Sequence, residues 1–292
     1  MLETICSDNW CSARLPITSS ATNATGAGLR VWYIYIDQQL RSCSHVGNPE
    51  IHKHDSLPSF ELITTSGERL ENHDVLGEKP VLLIFGSMTC PNTASAAPTV
   101  QDLYEEFGDR IDFLMLYVRE AHPGEHFSQA ETMQEKLEHA RSLKQFYHIG
   151  WTVAADTIDG DLHRALDPKP NSALLVSGDG KILFRSLWAA DKEPLRQALD
   201  AVSNGRLPDT NQSSALIVPV ARAMGQVQAV MERGGPQAVS DLWRAGFPIA
   251  LAGRVATWFS PLPADQRGVA AVITLALGTL IAIGFLSAWF FA

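Results

Sequence analysis

Cysteine is scarce in this chain, and only the loose pair Cys6 and Cys11 is close enough for a disulfide or a shared metal, which is a weak signal. The 292 residues hold four: Cys6, Cys11, Cys43 and Cys90. There is no Cys-x-x-Cys, which excludes the usual dithiol redox motif and any zinc-finger ligand set. Positive charge is also short. The chain has 23 Lys and Arg against 32 Asp and Glu, a net charge of −9. That excludes the basic face that nucleic acid requires. The first 30 residues contain no apolar stretch of the signal-peptide kind. The cysteines are therefore expected as thiols in a reducing compartment. Neither a metal site nor a bound cofactor is expected.

Long uncharged apolar runs are missing too, with one exception, Val269 to Phe291. As a helix rising about 1.5 Å per residue it is roughly 35 Å long, enough for a hydrocarbon core of about 30 Å. Trp289, Phe290 and Phe291 suit the far interface. Residues 268–292 thus read as a single-pass, C-terminal transmembrane anchor. Arg267 on its near side places the soluble part on the cytoplasmic face. Residues 206–267 read as an amphipathic helical linker. Its two stretches, Ala215 to Arg233 and Gln237 to Trp258, are broken by Gly234-Gly235-Pro236. They either pack on each other or on the domain, or lie on a membrane surface. Residues 1–55 read as a polar, partly ordered extension around one apolar run, Val31 to Ile36.

Residues 56–205 read as a single α/β domain. Val81 to Phe85 is a continuous apolar run, as a central strand requires. Pro91 suits the first turn of a helix whose buried face carries Val100, Leu103, Tyr104 and Phe107 and which Gly108 ends. A second strand over Ile111 to Val118, a helix over Thr132 to Tyr147 and a strand over Trp151 to Ala155 follow. Two apolar runs around Gly178-Asp179-Gly180 make a hairpin, and Glu193 to Val202 a closing helix. This order, with Cys90 at a strand-to-helix turn, describes a thioredoxin-like fold with a central mixed sheet flanked by helices.

The placement of Cys90 puts a sulfur at a helix N-terminus. Unpaired N–H groups and the helix dipole favour a thiolate there. Three residues on stands Thr93, not a second thiol, so an external thiol or a distant cysteine such as Cys43 must resolve any oxidised form. Ser87, Thr89 and Thr93 surround the sulfur as candidate hydrogen-bonding groups. Glu120 and His122 follow the end of the second strand, the edge where open α/β sheets bind ligands. Their alternate spacing lets both face one pocket. A carboxylate beside His122 favours its charged form, which suits it to stabilise the thiolate or to donate a proton.

Two blocks resemble the iodothyronine deiodinase family. Phe85-Gly86-Ser87-Met88-Thr89-Cys90-Pro91 is similar to the family's Phe-Gly-Ser-x-Thr-selenocysteine-Pro. Tyr117-Val118-Arg119-Glu120-Ala121-His122 is similar to its Tyr-Ile-Glu-Glu-Ala-His, at a matching separation. Ala155-Asp156-Thr157 is a weaker echo. The resemblance covers residues 56–205. It implies a thioredoxin-like enzyme that reductively removes iodine from aromatic rings, with Cys90 at the selenocysteine position. Glu120 and His122 then take the positions of the acid–base pair. Met88 stands where vertebrate members have a second cysteine, and the anchor is C-terminal rather than N-terminal. The expected partners are a small-molecule substrate, a thiol reductant such as thioredoxin or a low-molecular-weight thiol, and the membrane.

Two other readings remain at this point. Pro58-Ser59-Phe60-Glu61-Leu62 and the lone cysteine also resemble peroxiredoxins, with Ser87 where those carry a threonine. That reading makes the chain a one-cysteine peroxidase. The other is a non-catalytic, membrane-tethered interaction module.

Overall fold

The computed structural model describes residues 56–166, 171–213 and 217–291, the side chain of Phe291 excepted. Cys6, Cys11, Cys43 and the Val31 to Ile36 run lie outside the described residues.

Eight strands form one mixed sheet in the order β2-β1-β5-β4-β3-β6-β7-β8. They are β1 (Glu61–Thr64), β2 (Arg69–Glu71), β3 (Val81–Gly86), β4 (Asp112–Tyr117), β5 (Thr152–Ala155), β6 (Ala173–Val176), β7 (Ile182–Ser186) and β8 (Gln212–Ser213). β3 lies centrally, parallel to β4 and antiparallel to β6, and β6 turns into β7 as the expected hairpin. Helix α1 (Asn72–Val75) is a single turn. The longer helices of the domain are α2 (Pro91–Phe107), α3 (Met133–Phe146) and α5 (Lys192–Ser203), with a short α4 (Asp161–Leu166). The mixed sheet, with a βαβ unit leading into the hairpin and a last helix, is the thioredoxin-like arrangement read from the sequence.

Both faces of the sheet are covered, which explains why β3 is apolar at every position. Alternate side chains go to opposite faces. Leu82 and Ile84 join Val100, Leu103 and Phe107 of α2, Leu137 and Leu143 of α3, and Leu195 and Leu199 of α5. Val81, Leu83 and Phe85 join Leu57, Leu62 and α4's Leu162 and Leu166 on the other side. Asp156 has a structural role. Its carboxylate accepts the N–H groups of Thr157, Leu162 and His163 at 2.8, 3.2 and 2.9 Å and so caps α4.

Two features were not legible. β2 and β8 are short edge pieces, and β8 carries the sheet past the boundary expected at residue 205. The stretch expected as one amphipathic run from Gln237 is two helices, α7 (Pro236–Ala245) and α8 (Phe247–Ala256). Gly246 separates them, and Pro248 sits in the first turn of α8, where a missing N–H costs nothing. The helices of this region pack on the domain, one of the two arrangements open from the sequence. Val227, Val230 and Met231 of α6 (Ile217–Gly234) form one buried cluster with Ala94 of α2 and with Ala238 and Leu242 of α7. Beyond a 3₁₀ turn (Thr257–Phe259) runs α9 (Ala264–Phe291). It is long and apolar enough to cross a membrane, by length and composition.

Candidate active site

Ser87-Met88-Thr89-Cys90 makes the turn between β3 and α2. Cys90 is the residue just before the helix, in extended conformation with φ −100° and ψ 115°. Its side chain is 0% exposed. Burial pushes the thiol above its ordinary value, against hydrogen bonds from the Thr93 N–H, the Thr93 hydroxyl and the Asn92 N–H, with the Glu120 charge adding to the rise. The helix N-terminus therefore supplies the donors expected of it, but the closed pocket holds the proton on sulfur. Thr93 Oγ1 is itself oriented by the Ser87 N–H at 3.3 Å.

Glu120 stands just past β4 and folds back onto the cysteine turn. Its Oε2 accepts the Thr89 N–H at 2.9 Å and the Thr89 hydroxyl at 2.5 Å. The Tyr117 hydroxyl donates to Oε1. Burial raises the Glu120 pKa to about 7, against the hydrogen bonds from Thr89, Met88 and Ser87. His139 Nδ1 lies 3.9 Å from Oε1, beyond hydrogen-bonding distance, and burial lowers its pKa. The Ser87 and Thr89 hydroxyls, expected near the sulfur, are engaged by the Glu120 segment. Ser87 Oγ also accepts the Ala121 N–H at 3.3 Å, and Thr89 Oγ1 the His122 N–H at 3.1 Å.

His122 differs from expectation in charge. Burial lowers its pKa to about 4, so the imidazole is neutral at pH 7. The Glu120 carboxylate accepts from Thr89 and Tyr117, and burial is what sets the His122 charge. Desolvation of a buried imidazole disfavours its charged form. The resting site thus holds a thiol, a neutral imidazole and a carboxyl group poised near neutrality. Charge on Glu120 disfavours charge on Cys90.

The site is roofed by the end of α6. The Arg233 guanidinium donates to the Tyr147 hydroxyl at 3.0 Å and to the Met88 carbonyl at 3.5 Å. It stacks 3.9 Å from the centroid of Phe146. The loop after His122 meets the α6–α7 turn backbone to backbone. A Cβ on Gly124 would sit 2.3 Å from the Gly234 carbonyl oxygen. The His126 N–H donates to that carbonyl at 3.0 Å, and Glu125 accepts the Gln237 N–H at 2.9 Å. Beside Thr93 and Tyr147, a cavity of about 20 Å³ is lined also by Met115, Trp151 and Asn171. That is room for roughly one water, not for an aromatic ring. Among the described residues no group of His, Cys, Asp and Glu is arranged to hold a metal.

Sequence reasoning missed Arg233, Tyr147 and His139. Each reaches the site through tertiary packing, from helices whose periodicity marks a buried face but not its partner. Tyr117 carried a signal, because it lies in the same strand-end block as Glu120.

The chain matches the family model for iodothyronine deiodinase across residues 19–199. It is 29% identical over 124 residues to the type II iodothyronine deiodinase of Fundulus heteroclitus, covering 37% of this chain and 46% of that one. It is 30% identical over 139 residues to the type I iodothyronine deiodinase of Xenopus laevis, covering 44% of this chain and 54% of the other. The chain therefore spans about half the length of these curated relatives. A solved structure, an uncharacterized conserved protein from Geobacillus kaustophilus, is similar at 16% identity and a TM-score of 0.46, covering 56% of this chain and 89% of that one.

Proposed function

Because this chain belongs to the iodothyronine deiodinase family, we propose that it is a membrane-anchored, thiol-dependent oxidoreductase acting on an iodoaromatic small molecule. The observation that carries this reading is the double hydrogen bond from Thr89, the residue next to the thiol, to a carboxyl group whose pKa is about 7. It couples the sulfur's turn to a proton holder at working pH.

The reaction balances as follows. Cys90 gives its proton to Glu120 and attacks iodine along the carbon–iodine bond. A sulfur–iodine bond forms, and the electron pair of the broken bond stays on the ring carbon. The proton taken up by Glu120 quenches that carbanion. An external thiolate then attacks the Cys90 sulfur and expels iodide, leaving a mixed disulfide. A second thiolate releases Cys90 and leaves as the external disulfide. The ring is reduced by two electrons, and two external thiols are oxidised. Thr93 and Asn92 hold the sulfur as charge develops on it.

Opening of the Arg233 roof admits the substrate. The anchor is α9, and Arg267 orients the domain toward the cytoplasm. The test is iodide release from a simple iodophenol by the full chain in detergent, with dithiothreitol as reductant. The expected result is turnover that Cys90→Ser abolishes. Hydrogen peroxide consumption without iodide release would overturn the reading in favour of a peroxidase.

A further inference from the structure

α9 does not leave the domain as a free tether. Its first turns pack against α6 at backbone distance. A Cβ on Gly225 would sit 1.7 Å from the Ala264 carbonyl oxygen, and one on Gly268 would sit 2.2 Å from the Ala221 carbonyl oxygen. Four residues forward along α9 thus match four residues back along α6. The helices run antiparallel, and glycine at both positions permits the approach. Ala271 lies in a buried cluster with Val255 and Ala256 of α8, against which Phe259 packs. The anchor is seated between α6 and α8.

This register aligns two changes in the chain's chemistry. On α9 the last charge is Arg267, and residues 268–291 are uncharged. On α6, read backward, the last charge is Arg222, and residues 217–221 are uncharged and wholly apolar. Gly268 meets the Arg222 carbonyl oxygen as well, so both changes fall at one height. Past that height, on the side α9 takes into the bilayer, Ile217 is 80% exposed and Val218 is 52% exposed. In the 3₁₀ turn beside Ala271, Trp258 is 68% exposed, next to the packed Phe259. Water is a poor environment for this set of side chains. The edge of a bilayer suits them, with arginines at the head groups, tryptophan at the interface and branched aliphatics below.

We infer that the membrane crossed by α9 also receives the N-terminal turn of α6 and the Trp258 turn, so that the domain docks on the bilayer in one fixed orientation. The occupant of this face is lipid. α6 then acts as a strut, with Ile217 in the membrane and Arg233 on the roof of the Cys90 pocket. The rise from Arg222 to Arg233 holds that roof about 17 Å above the head groups. The inference rests on the reading of α9 as the anchor.

The test uses the unaltered full chain in phosphatidylcholine vesicles doped with a phosphatidylcholine that carries a diazirine on its acyl chain. After irradiation, tryptic peptides are searched for lipid adducts. Adducts are expected in 268–292, in 207–222 and in 255–267, and are expected to be absent from 223–233. Adducts confined to 268–292 would overturn the docking and leave the anchor standing. No adducts in 268–292 would overturn both. An independent readout comes from spin labels at Val218→Cys, Trp258→Cys and Ala229→Cys in a chain whose native cysteines are serine. Labels at 218 and 258 should favour oxygen over a water-soluble nickel chelate, and the label at 229 the reverse. Equal aqueous access at all three would overturn the inference.

Discussion

Thr89 and Glu120 lie 31 positions apart and are joined twice. The threonine N–H and its hydroxyl both donate to the same carboxyl oxygen, at 2.9 and 2.5 Å. The same hydroxyl oxygen accepts the His122 N–H. One small side chain thereby ties the cysteine turn to the strand end that carries both acid–base candidates. Thr89→Val keeps the shape and removes the hydroxyl, leaving a buried carboxyl group and a buried N–H short of partners. The expected cost is about 2 kcal/mol in urea denaturation, with a fall in iodide release. Thr89→Ser retains the hydroxyl and should stay within about 0.5 kcal/mol of the parent. Equal midpoints for the two variants would show that the hydroxyl does not join the two segments.

Glu120→Gln removes a negative charge that opposes ionisation of Cys90. The amide can still accept from Thr89, so the turn should persist. The thiolate absorbance of Cys90, taken as the difference from Cys90→Ser, is expected to titrate at lower pH in this variant. Turnover should fall even so, because an amide cannot hold the transferred proton. A titration that stays in place or moves upward would contradict the opposition between the two charges.

The stability profile with pH should separate the two acid–base groups. The His122 pKa in the folded chain is about 4, below the ordinary 6.5. Between these values the unfolded chain binds more protons, so stability rises with pH across the window. The contribution is present above pH 6.5 and lost as pH falls through 4. Glu120 has the opposite sign. Its folded pKa is about 7, above 4.5, so its contribution is present below pH 4.5 and lost as pH rises through 7. The parent should therefore gain stability relative to His122→Gln from pH 4 to 6.5, by as much as about 3 kcal/mol. Relative to Glu120→Gln it should lose stability from pH 4.5 to 7. Thermal midpoints in half-unit steps check both. A parallel pair of profiles would refute the charge states assigned to the site.

The central elements were legible because their patterns are local. A fully apolar β3, Pro91 after Cys90 and the Gly/Asp turn of the hairpin each fix an element from adjacent residues. The strand-end block brought Glu120 and His122 to attention together. Their charge states were not legible. Those depend on how completely α3, α6 and α7 close over the turn, and sequence spacing carries no measure of burial. The same gap hid Arg233. Its helix reads as amphipathic, but nothing local says that its last turn lies on Met88 and Tyr147. The division between α7 and α8 was marked by Gly246 and Pro248, two residues that the apolar pattern from Gln237 overrode.

Arg233 gives the most direct handle on access to the thiol. Cys90 is wholly buried, so a neutral alkylating reagent reaches it only when the roof opens. Arg233 closes that roof through Tyr147, the Met88 carbonyl and the face of Phe146. Arg233→Ala removes two hydrogen bonds and a cation–ring contact, together worth about 1 to 2 kcal/mol of closure at a half-exposed position. Iodoacetamide should then modify Cys90 roughly tenfold faster at constant pH. A general loss of stability is distinguished by Ile182→Val, a core change in β7 away from the roof. It is expected to cost about 1 kcal/mol without matching that acceleration. Equal acceleration in the two variants would mean that the reagent enters by global unfolding and that Arg233 gates nothing. Acceleration in Arg233→Ala alone establishes the end of α6 as the door to the site.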